Sequence, residues 1–120
     1  MKLVVTLPWE VLVTVNRKSL KRNVSTTRYR DAKANAHLIA LDQIRGERPR
    51  FPEQPLAVVM DFYPPDMRRR DVSNLYKLIL DALEGVVYAD DYQIRDLSSR
   101  RHSPDSEGDA RVDITITEAA

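Results

Sequence analysis

The sequence predicts an α+β domain of two layers, in which two helices cover one face of a small mixed or antiparallel sheet. Three observations carry this reading. Apolar residues alternate in Leu3, Val5 and Leu7, in Leu56, Val58, Met60 and Phe62, and in Val112, Ile114 and Ile116, the period of a half-buried strand. Two intervening stretches repeat apolar residues at helical spacing. The chain has 120 residues, of which 42% are hydrophobic, enough for one modest core. Residues 1–120 therefore read as a single domain, with no repeat, low-complexity segment or dividing linker.

The first strand runs through Leu3, Val5 and Leu7 and stops at Pro8, which cannot donate to a ladder. Val11 to Val15 reads as a second, weaker strand. Residues 16–24 are basic and lack periodicity, as in a loop or arm. From Ser25 or Thr26 to about Arg45, the set Tyr29, Ala32, Ala36, Ile39, Ala40 and Ile44 marks a helix. Either hydroxyl can cap its start, and Gly46 suits its end. Pro49, Pro52 and Pro55 make the next segment a connector. Leu56 to Tyr63 is the clearest strand and ends at Pro64-Pro65. Asp71 then caps a second helix to about Glu84, with Leu75, Leu78, Ile79, Ala82 and Leu83 as its apolar stripe and Gly85 as its stop. Residues 92–101 and Arg111 to Thr117 read as two last strands joined in a hairpin by the turn Ser103 to Gly108.

Composition removes several classes of function. The absence of cysteine excludes a disulfide scaffold, a thiolate metal site and a cysteine nucleophile. Two histidines, His37 and His102, argue against an imidazole zinc site. No apolar run is long enough to span a bilayer, and the N-terminal residues lack the pattern of a signal peptide. The expectation is a soluble, cytoplasmic protein with no membrane partner.

The net charge of +1 hides an asymmetry. Residues 1–50 hold 11 Lys+Arg against 4 Asp+Glu, a balance of +7, whereas residues 51–120 hold 8 against 14, a balance of −6. A basic half suits a polyanion and an acidic half suits cations, although two ordinary solvated faces would give the same counts.

Chemistry concentrates between residues 66 and 96. Asp71 follows Arg68, Arg69 and Arg70 at a helix start, where an N-cap alone would explain it. Ser73, Lys77 and Asp81 share the polar face of that helix, where a solvated Lys–Asp pair is the plain explanation. Asp90 and Asp91 are adjacent before a strand, as in many turns. Taken together, Asp71, Asp90 and Asp91 are expected to converge, because a helix start and a strand start can lie side by side at one sheet edge. Oxygen ligands without Cys or His suit Mg²⁺ or Mn²⁺. The neighbouring Arg68, Arg69, Arg70 and Lys77 would hold phosphates. Arg17, Lys18, Lys21 and Arg22 form a second basic candidate for DNA contact. Carboxylates among arginines describe a site that cuts nucleic acid.

At these residues the chain resembles the RusA family of Holliday junction resolvases. The resemblance rests on Leu7-Pro8-Trp9, Asn16-Arg17, Tyr29-Arg30-Asp31 and the run Arg69-Arg70-Asp71-Val72-Ser73-Asn74-Leu75 with Lys77. It continues through Asp81-Ala82-Leu83 and Asp90-Asp91 to Ile114-Thr115-Ile116-Thr117-Glu118. It implies a homodimeric, Mg²⁺- or Mn²⁺-dependent endonuclease, often carried by prophages, that binds four-way junctions and nicks two strands symmetrically in recombination and repair. Carried onto this chain, it makes Asp71 and Asp91 metal-binding catalytic acids, Lys77 a catalytic lysine, Asp90 a neighbouring acid, and Arg69 and Arg70 contacts to DNA.

One position departs from the pattern. The family usually reads Asp-x-Asp-Asn, and here Ser73 stands where the second acid belongs. A hydroxyl can hold a metal-bound water but removes one negative charge. The alternative is thus a junction-binding protein with weak or no cleavage, whether Ser73 is natural or engineered. A third reading, a structural or interaction protein whose acids are caps and turns, does not account for the acid and arginines concentrated at Arg68 to Asp71.

Overall fold

The computed structural model describes residues 1–12, 24–69 and 72–119, and of residues 24–26 the backbone alone. The strands are β1 (Lys2–Pro8), β2 (Leu56–Tyr63), β3 (Ile94–Arg101) and β4 (Arg111–Glu118). The α-helices are α1 (Val24–Gln43) and α2 (Tyr76–Leu83). Short 3₁₀ turns occupy Trp9–Val11, Val72–Leu75 and Asp91–Gln93.

The strands form one mixed sheet in the order β1-β4-β2-β3. Register places Leu7 opposite Val112, Val5 opposite Ile114, and Val58 opposite Ile116. The alternating apolar residues therefore all point to one face. There they are buried with Ala36, Ala40 and Ile44 of α1 and with Leu78, Ile79, Ala82 and Leu83 of α2 in one cluster. The two-layer arrangement expected from the sequence is the one observed. Gln43 of α1 also satisfies the edge strand β1, since the Thr6 N–H donates to its Oε1 at 2.9 Å and its Nε2 donates to the Thr6 carbonyl at 2.6 Å.

The expected hairpin of the last two strands is overturned. β3 pairs with β2, parallel to it, and β4 pairs antiparallel with both β1 and β2. A parallel pair needs a crossover, and the segment containing α2 supplies it. The reason lies in the side chains. β4 buries Val112, Ile114 and Ile116 and suits an interior position, whereas β3 carries Arg95, Asp96, Ser98, Arg100 and Arg101 and suits an edge.

Three smaller expectations also change. Val11 lies in a 3₁₀ turn that Leu12 ends, and residues 13–15 of the supposed second strand, with the arm at 16–23, lie outside the described residues. The helix is already formed at Val24, so Ser25 and Thr26 sit inside it instead of capping it. The second helix opens as a 3₁₀ turn before α2 continues it.

On the sheet face away from the helices, the Asp61 carboxylate lies 2.8 Å from His102 Nε2 and 2.9 Å from Arg100 Nε. Tyr63 stacks on His102, and the Arg111 guanidinium lies 4.3 Å from the centre of its ring. Side chains from β2, β3 and β4 thus tie this face together by polar and stacking contacts.

Candidate functional site

The segment from Val72 to Leu83 organises the site, because it separates two groups of charge. Four 3₁₀ residues and eight α residues span about 20 Å along the axis. Arg68 and Arg69 precede this segment and are exposed. An Asx turn shapes their loop, with the Arg68 N–H donating to Asp66 Oδ1 at 2.9 Å. The far end of β3 adds Arg101 and His102, which line one recess with Trp9, Arg68 and Val72. Sequence reasoning does not place these last two residues beside the arginine loop, because it pairs β3 with β4.

Past the other end lies the acid group. Gly85, at φ +86°, reverses the chain after α2, a conformation that side chains disfavour. Val86, Val87 and Tyr88 are then buried completely. The connector pins them, as the Arg50 and Phe51 N–H groups donate to the Val86 and Val87 carbonyls at 3.1 and 2.8 Å. With the loop anchored from below, Glu84, Asp90 and Asp91 project from its surface. Their carboxylate oxygens come within 4.8 Å of one another.

Gln93 fixes the turn that carries two of these acids. Its Oε1 accepts from the Ala89 and Asp90 N–H groups at 2.9 and 3.0 Å, and its Nε2 donates to the Phe51 and Gln54 carbonyls at 2.9 and 3.0 Å. All four hydrogen-bonding positions of the buried amide are used. Asp90 caps the 3₁₀ turn by accepting from the Tyr92 N–H at 2.9 Å. Among the described residues the Asp91 and Glu84 carboxylates have no side-chain hydrogen bond or ion pair, which leaves their oxygens available.

Electrostatics mark the same spot. Burial drives the Tyr88 phenol well above its ordinary value, and the carboxylates of Asp91, Glu84 and Asp81 push it further. Its hydroxyl donates to the Leu80 carbonyl, so it stays a neutral donor beneath a negative patch. Three exposed carboxylates this close repel one another, a cost that a hard divalent cation would offset.

Lys77 and Asp81 form the pair expected from their spacing, with Nζ 3.0 Å from Oδ2. A second donor reaches the same oxygen, the Tyr29 hydroxyl of α1 at 2.7 Å. Burial pushes the Asp81 carboxyl up, but the hydrogen bonds from Tyr29 and Lys77 and the charges of Lys77 and Lys33 outweigh it and hold the group below its usual range.

The structure therefore brings Asp90 and Asp91 together and adds Glu84, which sequence reasoning missed. It does not bring Ser73 to them. Ser73 lies in the first turn of the segment, roughly 17 Å along the axis from Glu84. Arg70, Asp71, Arg17, Lys18, Lys21 and Arg22 lie outside the described residues.

A two-layer domain with arginines at one end of a helical segment and clustered carboxylates at the other is suited to grip a polyanion and a cation together. The family to which it belongs follows from comparison with known proteins. The family model for endodeoxyribonuclease RusA matches residues 8–117, and the chain belongs to that family of metal-dependent Holliday junction endodeoxyribonucleases. No individual curated protein matches it. Among the described residues, no helix is long and apolar enough to cross a membrane.

Proposed function

We propose that this chain is a Mg²⁺- or Mn²⁺-dependent endonuclease that binds four-way DNA junctions in the cytoplasm and resolves them by paired, symmetric nicks. The observation that carries the metal reading is the Glu84, Asp90 and Asp91 cluster, an all-oxygen donor set of the kind that hard divalent ions prefer. The residues present fit such an ion. When bound, it would polarise a phosphate and lower the pKa of a water.

The chain's own groups have separable tasks. Arg68, Arg69 and Arg70 hold backbone phosphates by charge-assisted hydrogen bonds. Asp91 and Glu84 offer oxygens to the cation, and Asp90 gives one oxygen to the turn and keeps the other. Lys77 presents an ammonium to the charge that develops on the attacked phosphate. Asp71 is the remaining acid.

The separation of Ser73 from Glu84 bears on the assembly. Side chains at positions as far apart as Ser73 and Glu84 cannot share one ion, whose ligands sit within about 2.1 Å of it. We therefore read the site as shared between two copies, with the helix start of one supplying Asp71 to the acid cluster of the other. A two-fold dimer also presents two equivalent sites to two equivalent strands. Ser73 supports a second reading, because it removes a charge at a position where the family usually carries an acid. In that reading the protein binds junctions and cuts them weakly or not at all.

The test is incubation of a synthetic four-way junction with Mg²⁺ or Mn²⁺ beside a linear duplex. The expected products are paired nicks in the junction alone, and only with metal. Tight junction binding without nicks would establish the second reading, and no preference for the junction would overturn both.

A further inference from the structure

Tyr29 and Asp81 lie 52 residues apart and belong to different helices, yet the Tyr29 hydroxyl donates to Asp81 at 2.7 Å. Lys77 Nζ lies 3.0 Å from that same Oδ2. The side chains grade outward from this point, since Asp81 is 24% exposed and Lys77 is 79% exposed. A second polar contact ties the same seam, with His37 Nδ1 of α1 2.8 Å from the Ala82 carbonyl. Asp81 is thus fastened from the neighbouring helix on one side and offers its charge to a solvent-facing ammonium on the other.

An exposed lysine and aspartate one turn apart normally do little, amounting to about a twofold population shift. Both side chains keep their rotamer freedom, and water competes for both charges. Here one partner has lost that freedom. Tyr29 is a lasting donor because burial, the hydrogen bond to Asp81 and the charge of Asp81 all raise its pKa. The carboxylate it holds is ionised at neutral pH. Lysine carries the larger share of rotamer entropy in such a pair, so fixing the acid confines the base.

We propose that Tyr29 and Asp81 are positioning residues that hold the Lys77 ammonium in one orientation on the outer face of α2. The inference rests on the reading of Lys77 as the group that meets the attacked phosphate. A held lysine has already lost the orientational freedom that a free one would lose at the moment of reaction, which favours the chemical step more than binding.

Relaxation of the ¹⁵N-labelled lysine ammonium groups in the intact protein tests the positioning, with exposed Lys2 as the internal reference for a free side chain. The order parameter of Lys77 is expected to be about twice that of Lys2. Asp81→Asn should bring it down to the Lys2 value, and Tyr29→Phe should bring it about halfway, in proteins whose melting still shows a folded domain. On a four-way junction, the same two variants should lower kcat about tenfold with KM within about twofold. Equal order in Lys77 and Lys2, or no change in Tyr29→Phe, overturns the positioning. Lys77→Ala that nicks like the wild type overturns the catalytic reading of Lys77 separately, because the order parameters are measured without DNA or metal.

Discussion

The two ends of the segment Val72–Leu83 differ in charge, and the difference runs against what helix stability alone would select. A helix N-terminus carries partial positive charge and its C-terminus partial negative charge, so acids are favoured at the start and bases at the end. Here Arg68 and Arg69 precede the start, and Glu84 follows the end with Asp90 and Asp91 beside it. No basic residue stands in the last turn of α2, and no acidic one in its first. Of these charges only Glu84 adjoins a helix end, where it costs up to about 1 kcal/mol. Charges arranged this way do not stabilise the free protein. They fit the partners proposed above, which would reverse the sign at each end, phosphates at the start and a cation at the finish. Asp71 is the exception in the sequence, an acid among the arginines.

The comparison breaks first if the acids prove structural. Asp91→Asn and Asp71→Asn should each lower junction nicking by about a hundredfold or more. Junction affinity, read by gel shift without metal, should be unchanged, since neither substitution removes positive charge. Both losses should look alike although Asp71 precedes the segment in sequence and Asp91 follows it. Nicking that falls only in parallel with binding or with folding would make these acids caps and turns.

The basic end predicts a smaller effect with a different signature. Charge reversal of Arg69 and Arg70 to Glu should weaken binding to junction and duplex alike, by about tenfold or more at moderate salt. The slope of log affinity against log salt should flatten by about 2, near 0.9 for each phosphate that is no longer neutralised. Unchanged slopes would mean that these guanidinium groups do not neutralise phosphates, and the two ends would then differ in charge without differing in task.

Much of this was legible in the sequence, and the gaps have physical causes. β2 was clear because a central strand facing the helices alternates without interruption from Leu56 to Phe62. Its partners were not, since alternation shows which side chains face the core and says nothing about the neighbouring strand. The polar residues of β3 were the available sign of an edge. The Lys77–Asp81 pair followed from spacing, but Tyr29 read as one more apolar position of its helix. Its hydroxyl meets Asp81 only through helix packing, which sequence separation conceals. Gln93 did carry a local signal, for Asp90-Asp91-Tyr92-Gln93 has the spacing of a capping box. Glu84 carried none beyond its place before Gly85.

The smallest expected effect sharpens the comparison most, because it asks whether one end of the segment responds to a cation held at the other. Ser73→Asp places a carboxylate in the first turn, where the helix dipole favours it by about 0.3–1 kcal/mol. In dilute metal-free buffer, where copies are apart, the melting temperature should therefore rise slightly or stay level, since Glu84, Asp90 and Asp91 of the same chain are too far away to repel it. Mg²⁺ should then stabilise the variant more than the parent, in proportion to any gain in affinity, and junction nicking should rise. If the site is shared between copies, the extra Mg²⁺ stabilisation should also grow with protein concentration, because binding and association are then linked. A Mg²⁺ titration of thermal stability at two protein concentrations reads all of these. A large metal-free loss of stability relieved by Mg²⁺ at any dilution would mean that residue 73 crowds acids of its own chain, against the separation along α2. No response of either stability or nicking to metal would mean that residue 73 does not face a cation in any assembly.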